Sequence, residues 1–310
     1  MNDLLTAAFI SAFLVACIAG AVPLLLASVG ETIGEQSGVL NLGIEGVMLV
    51  GAYTGYAVTI ASHSVWIGML GGAVGGIVLS LLMLVLNTLF GLNQIVIGIA
   101  MTLAGQGITS VLYQEKYAQS QPSISPDRWR IPGLSGIPAV GSSIFSASGM
   151  FWVAVLLAIV VAYLLSRTNW GLSIRAAGQK PSSLDAAGGS VMKTRSQAVL
   201  LGGFFSGLGG AYLSLISTGA FTPFMTAGVG YIAIVVTMLS RGRIWVVAAI
   251  SLLYGVTQAL GTALQLGGIS VPTQVITMLP YLVVMVVLLI FARSVYISPV
   301  LAAPYARGAR

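Results

Sequence analysis

GVMLVGAYTGYAVTIASHSVWIGMLGGAVGGIVLSLLMLVLNTLFGLNQIVIGIAMTLAGQGITSVLYQ, residues 46–114, runs for 69 residues without one Asp, Glu, Lys or Arg. A helix that crosses about 30 Å of hydrocarbon takes about 20 apolar residues, so this stretch alone holds three crossings. Working outward, residues 4–30, 131–166, 196–240 and 244–292 are equally free of charge, and the five runs together cover 226 of the 310 residues. The alternating polarity of barrel strands is missing. Helices are then the structures left that satisfy their own backbone in lipid. The expected fold is an all-α polytopic membrane protein with eight to ten transmembrane helices.

Composition excludes the other large classes. Hydrophobic residues make up 57% of the chain and charged residues 6%, with a mean hydropathy of +1.00, where soluble domains carry about 25% charged residues. A water-soluble enzyme, a disordered chain and a nucleic-acid-binding domain are all set aside. The net charge of +6 reads through the positive-inside rule rather than as an anionic partner. Cys17, the single cysteine, lies within an apolar run and reads as a packing residue with no disulfide or metal partner. His63, the single histidine, falls in a turn between Ser62 and Ser64 and reads as an interfacial polar residue rather than a ligand or base. A phosphate loop of the G-x-x-x-x-G-K-[ST] type is absent, as is any zinc or nucleophile constellation. Metal ions and catalytic residues are therefore not expected, and ATP, if used, is used by another subunit. Residues 1–30 lack the basic start of a cleavable signal peptide.

Nine spans are expected at about 5–29, 39–61, 66–90, 93–111, 151–167, 196–216, 229–240, 244–262 and 275–292. The seventh is too short to cross alone and is expected to continue into broken or re-entrant structure over 219–228. The connection 167–195 carries Arg167, Arg175, Lys180, Lys193 and Arg195 against Asp185, so it is expected on the cytoplasmic side. Counting spans from it puts Arg241, Arg243, Arg293, Arg307 and Arg310 inside. It puts the N-terminus with Asp3 outside, together with the Pro-rich segment 112–150, where Glu115, Lys116, Asp127, Arg128 and Arg130 nearly balance. A weak repeat at an offset of 185 sets Asn41-Leu42-Gly43-Ile44-Glu45 against Thr226-Ala227-Gly228-Val229-Gly230. Near 180, Gln94-Ile95-Val96-Ile97 meets Gln274-Val275-Ile276-Thr277. The expected domain is one transmembrane unit over 1–310, with a first repeat at about 5–111, an outer loop at 112–150, a cytoplasmic loop at 167–195 and an inverted second repeat at about 196–292. Inverted repeats with broken helices are typical of transport folds.

Three segments could carry function. Residues 30–46, GETIGEQSGVLNLGIEG, hold three carboxylates and five glycines between two spans. Glu31 and Glu35 read first as water-facing members of a cytoplasmic turn. Asn41 and Glu45, four apart on one helical face, divide between path lining and inter-helix bonding. The matching segment, residues 221–228, offers Thr222, Phe224 and Thr226, whose ring and hydroxyls could meet a flat or sugar-like solute; interfacial anchoring is the alternative. Between Pro181 and Gly188 a helix of about two turns is expected. It reads either as a docking helix for another protein or as a plain surface loop.

Glu35-Gln36-Ser37-Gly38-Val39-Leu40-Asn41-Leu42-Gly43-Ile44-Glu45-Gly46-Val47-Met48-Leu49-Val50-Gly51-Ala52-Tyr53 resembles the first-half signature of bacterial ABC importer permeases for branched-chain amino acids, ribose and simple sugars. Its S-G-V-x-N-x-G-x-E-G-x-M-L-x-G-A form is most similar to the nucleoside and simple-sugar branch. Arg175-Ala176 with Gly178, then Ala186-Ala187-Gly188, resembles the family's cytoplasmic coupling loop, and Gly207-Leu208-Gly209-Gly210-Ala211 resembles the glycine-rich span after it. The motif usually has Arg after its first Glu, and Gln36 stands there instead.

The resemblance implies a permease subunit in the bacterial inner membrane that moves a small polar solute, a nucleoside or simple sugar, by alternating access. It implies ATPase subunits docking at Arg175, Gly178, Gln179, Leu184, Asp185 and Gly188 and binding the ATP and Mg, a second permease subunit, and a periplasmic or lipid-anchored solute-binding protein. An ion-coupled secondary transporter is the first rival, separable by uncoupler-sensitive uptake without an ATPase. A non-transport scaffold is the second, separable because its function would survive replacement of 31–45.

Overall fold

The computed structural model describes residues 7–125, 148–266, 272–291 and 298–303. Asp3, Arg293, Arg307, Arg310 and most of the expected outer loop, including Asp127, Arg128 and Arg130, lie outside the described residues. Eleven α-helices follow in order among those described: α1 (Ala7–Gln36), α2 (Ile44–Ser62), α3 (Val65–Met83), α4 (Gln94–Tyr117), α5 (Gly149–Arg167), α6 (Asn169–Gln179), α7 (Pro181–Ala186), α8 (Val191–Tyr212), α9 (Val229–Ser240), α10 (Ile244–Leu266) and α11 (Thr273–Phe291). Single π-turns extend α3 over Leu84–Leu89 and α8 over Leu213–Ser217. Eight of the helices are long and apolar enough to cross a membrane.

The fold is built around α8. It packs against α2 and α3 on one side and α1 on the other; α10 and α9 lie against α1, α4 against α2, and α11 against α10. Van der Waals packing replaces the hydrophobic effect as the force between helices in lipid, so close backbone approach decides what packs. At the α2–α3–α8 crossing, a Cβ on Gly51 or Gly76 would overlap the backbone of Gly207, and a Cβ on Gly207 would overlap the Gly72 carbonyl. This glycine set, not a stripe of large side chains, brings three helices to one axis.

The proline in α1 has a compensating partner. Pro23 removes the N–H that would bond the carbonyl of Ala19, and Ser217 Oγ, from the π-turn of α8, donates to that carbonyl at 2.8 Å. Neighbouring hydroxyls restore freed backbone groups in this way inside membranes.

Several sequence expectations shift by a turn or more. The first span runs to Gln36, so Glu31 and Glu35 lie within α1 at 2% and 5% exposure rather than in a hydrated turn. The reason is local: after Glu35 the chain reverses through Gly38, at φ +86°, only once the helix has ended. α4 continues six residues past Val111, to Tyr117. The connection 167–195 holds two helices, α6 and α7, where one was expected. The missed helix starts at Asn169, where Thr168 Oγ1 accepts the N–H of Gly171 at 3.2 Å. The short seventh span is α9, with 12 residues, preceded by turns over 223–228. At 1.5 Å per residue it covers about 18 Å, so its N-terminus begins inside the protein, well short of a full crossing.

Candidate functional site

The elbow between α1 and α2, residues 37–43, is irregular backbone held among helices, and side chains meet its polar groups one by one. Leu40 N–H donates to Gln94 Oε1 at 2.9 Å, Asn41 N–H to Glu31 Oε1 at 3.1 Å, and Gly43 N–H to Asn41 Oδ1 at 3.0 Å. Thr102 Oγ1 donates to the Leu42 carbonyl at 3.3 Å. Non-helical backbone at such depth is tolerated where protein groups satisfy it. Glu31 therefore serves the elbow, and Asn41, 6% exposed, closes a turn on itself.

Glu45 stands in the first turn of α2 and reaches the start of α9. Its Oε1 accepts from Thr226 Oγ1 at 2.6 Å and from Gly228 N–H at 2.7 Å, and its Oε2 accepts from Gly230 N–H at 2.7 Å. The carboxylate is 2% exposed. It sits at the positive ends of two helices at once, where an anion is stabilised by both sets of unpaired N–H groups. Gly230 makes this possible: a Cβ there would lie 2.7 Å from Glu45 Cα. Glu45 and Gly230 are also the pair that the offset of 185 sets opposite each other. One half supplies the carboxylate and the other the vacancy that receives it.

The remaining path candidates divide. Thr226 is buried in the Glu45 cluster, whereas Thr222 is exposed and Phe224 is 55% exposed, with a left-handed φ of +62°. Tyr281 OH, from α11, donates to the Ala227 carbonyl, so α11 also holds this segment. Phe221 is not free to stack on a solute: its ring packs edge-on to Tyr53 at 5.3 Å and lies 5.6 Å from Tyr113. Gln121 Nε2 donates to the Phe221 carbonyl, and Ile124 N–H to the Gly219 carbonyl, both at 2.7 Å. Tyr56 OH donates to the Pro122 carbonyl at 2.7 Å. This aromatic end of the bundle fastens residues 121–124 to the segment 219–221. Single-sequence reading missed it because Tyr53, Tyr56, Tyr113 and Phe221 come from three separate parts of the chain.

The opposite end carries the basic connections. In α6 and α7, Gly178 and Leu184 are buried, Arg175 and Asp185 are half-buried, and Gln179 and Gly188 are exposed. Gly178 packs so closely on the end of α1 that a Cβ would overlap the Gln36 carbonyl. Leu184 packs inward on Ala177 and Val191. The outer face of α7 thus presents Ser182, Ser183 and Ala186 beside Lys180 and Gln179. Gln36, in place of the Arg usual in the resembling motif, donates its Nε2 to the Gly242 carbonyl at 2.9 Å and so joins α1 to the α9–α10 turn.

Arg195 was expected only as one of the cytoplasmic charges. It is 5% exposed. Its Nε donates to the Ser37 carbonyl at 3.2 Å and its Nη1 to the Ala303 carbonyl at 2.7 Å. Ala302 N–H donates to the Gly38 carbonyl at 3.1 Å, and Ser298 Oγ donates to the Gly178 carbonyl. The segment 298–303 therefore straps α6 to the elbow, with Arg195 as the buckle. No spacing rule points to these bonds, because their acceptors are backbone carbonyls.

Comparison with known proteins adds a second line. The family model described as "Branched-chain amino acid transport system / permease component" matches residues 5–292. A Haloferax volcanii protein named as a glucose ABC transporter permease, TsgC13, is 37% identical over 76% of this chain and 72% of its own length. The nucleoside ABC transporter permease NupC of Lactococcus lactis is 30% identical over 87% and 88%, and the guanosine ABC transporter permease NupQ of Bacillus subtilis is 29% identical over 94% and 95%. A solved structure of a metal-chelate type ABC transporter in an inward-facing conformation superposes with a TM-score of 0.52 at 15% identity, over 90% of this chain and 85% of that one. That likeness speaks for the fold alone.

Proposed function

The chain belongs to the permease family of branched-chain amino acid transport systems, and from that premise we propose that it carries nucleosides across the bacterial inner membrane. It is a multi-pass permease subunit of an ABC transporter, which sets aside the ion-coupled carrier and the scaffold. The observation that supports nucleosides is the near end-to-end match to two relatives named for nucleoside and guanosine transport. A sugar is the second reading, favoured by the relative named for glucose at 37% identity.

The proposed mechanism assigns ATP and Mg to separate ATPase subunits that seat against the outer face of α6 and α7 on the cytoplasmic side. A second permease subunit completes the path, and a solute-binding protein delivers from the side of the aromatic end. Movement of α6 reaches Gln36 and the elbow through the Gly178 contact. From the elbow it passes through Asn41 and α2 to Glu45, and so to the start of α9. Phe224 and Thr222, exposed just before α9, are the groups offered to the solute. A permease needs little tight binding of its own, because a ligand shifts the two access states only by its differential affinity for them. Uptake of labelled guanosine by cells expressing the complete transporter tests the reading. Accumulation that excess adenosine suppresses and excess glucose leaves unchanged is expected. Suppression by glucose, with adenosine inert, would overturn it in favour of the sugar.

A further inference from the structure

A cavity of about 580 Å³ opens at the basic end, where α5, α6 and the α9–α10 turn converge. Arg175, Arg241 and Arg243 are among the residues that line it, and among the described lining residues none is acidic. A second cavity of about 250 Å³ shares Gln36, Arg175 and Arg241 with it. The turn that presents two of the arginines is held in shape: Arg241 and Gly242 take φ of +53° and +74°, Arg243 N–H donates to the Ser240 carbonyl at 3.0 Å, and Gln36 holds the Gly242 carbonyl. Gln36 Oε1 is buried without a hydrogen-bond partner. It is an acceptor that calls for a donor from whatever occupies the space.

The other wall is apolar, with Leu165 and Ile244. Trp245 on this wall is 67% exposed, and the neighbouring α5 face carries exposed Leu156, Val160 and Tyr163. Aromatic rings of this kind mark the lipid–water boundary. The cavity thus offers cations on one side, an unpaired acceptor within, and an apolar track that leads away along two membrane helices. Its volume lies in the range of small-ligand sites, about 300–1,000 Å³.

We propose that this cavity binds an anionic glycerophospholipid of the cytoplasmic leaflet whose headgroup bears hydroxyls, as in phosphatidylglycerol. The phosphodiester meets the guanidinium groups, whose forked donors suit phosphate. A headgroup hydroxyl donates to Gln36 Oε1, and an acyl chain lies along Leu165 and the exposed face of α5. Basic pockets between transmembrane helices on the cytoplasmic side take lipid headgroups by the same physics. A zwitterionic lipid carries its own ammonium into the cluster and is disfavoured. The inference rests on the membrane placement of the permease and is independent of the transported solute.

The test is native mass spectrometry of the purified permease–ATPase complex, offered phosphatidylglycerol, phosphatidylcholine or free glycerol 3-phosphate. Retention of phosphatidylglycerol alone is expected, weakened about tenfold or more by Arg241→Gln with Arg243→Gln and largely kept by Arg241→Lys with Arg243→Lys, as charge contributions predict. The thermal midpoint of both double variants in phosphatidylcholine should match the parent, which separates lost binding from lost folding. Equal retention of the two lipids, or no change in the glutamine variant, would overturn the proposal. So would glycerol 3-phosphate binding as well as the lipid, which marks a soluble-anion site. Lipid retained only after the ATPase is stripped away would give the surface to that subunit instead. Intact guanosine uptake alongside any of these failures would leave the transport reading standing.

Discussion

At the scale of single residues, one carboxylate joins two broken elements. Glu45 answers three donors from the start of α9 while standing in the first turn of α2. Glu45→Gln keeps the shape but turns an amide N–H₂ toward groups that are themselves donors. Leaving a buried donor without its acceptor costs about 1–3 kcal/mol, so the variant should unfold earlier and lose uptake together. Thermal unfolding of the purified permease measures the first and labelled-solute uptake the second; a midpoint equal to the parent's would deny Glu45 its clamping role. The residue types at Glu45 and Asn41 were visible as costly polar groups between apolar spans. The hydrogen bonds of Glu45 were not, since Thr226, Gly228 and Gly230 stand more than 180 positions away and the weak repeat only aligned the two segments. Glu31 misled more directly. A carboxylate near a span end suggests water, whereas here the irregular elbow needs an acceptor for the Asn41 N–H.

At the scale of elements, packing turns on which glycines face a backbone. Gly207 meets Gly72 and Gly76, whereas Gly107 in α4 has nothing within 4 Å of where a Cβ would stand. Gly207→Leu should therefore abolish a monodisperse folded permease. Gly107→Ala should raise stability by about 0.4–1 kcal/mol through a less flexible unfolded chain. Size-exclusion profiles and thermal midpoints of the two variants check the pair, and a tolerated Gly207→Leu would place the helix crossing elsewhere. Small residues at close spacing were legible in the sequence as a packing signal. Which glycine opposes which needed the third dimension, because helix rotation is set by neighbours rather than by local propensity. The extra helix α6 escaped for a related reason: its half-buried, mixed composition lacks the long apolar run that betrays a span.

At the scale of the whole molecule, the basic end and the broken helices form one continuous set of contacts. Gly178 lies against Gln36, the strap 298–303 holds α6 to the elbow, and the elbow leads to Glu45 and α9. Gly178→Trp forces that seam apart, and Asp185→Lys reverses a charge on the short helix α7. Both should leave ATP hydrolysis running in the assembled transporter while uptake falls about fivefold or more, as a lost coupling free energy of about 1–3 kcal/mol implies. Parallel assays of phosphate release and solute uptake in reconstituted vesicles read the ratio. Normal coupling in both variants would remove α6 and α7 from the transmission route.

The sequence alone determined that the chain lives in a membrane as helices and which end carries the cations, while the breaks it placed moved by a turn or more. Those properties follow from transfer energies and backbone rules that act within about 20 residues. The tertiary structure decided what the polar groups do. It buried Glu31 and Arg195 against backbone carbonyls and amides, paired Glu45 with the vacancy at Gly230, turned Phe221 into a packing ring, and gathered three arginines around one cavity. Apart from Glu31, which reaches Asn41 only 10 residues away, each outcome joins segments from 66 to 185 residues apart. The free energy of such a contact depends on geometry that no local pattern encodes.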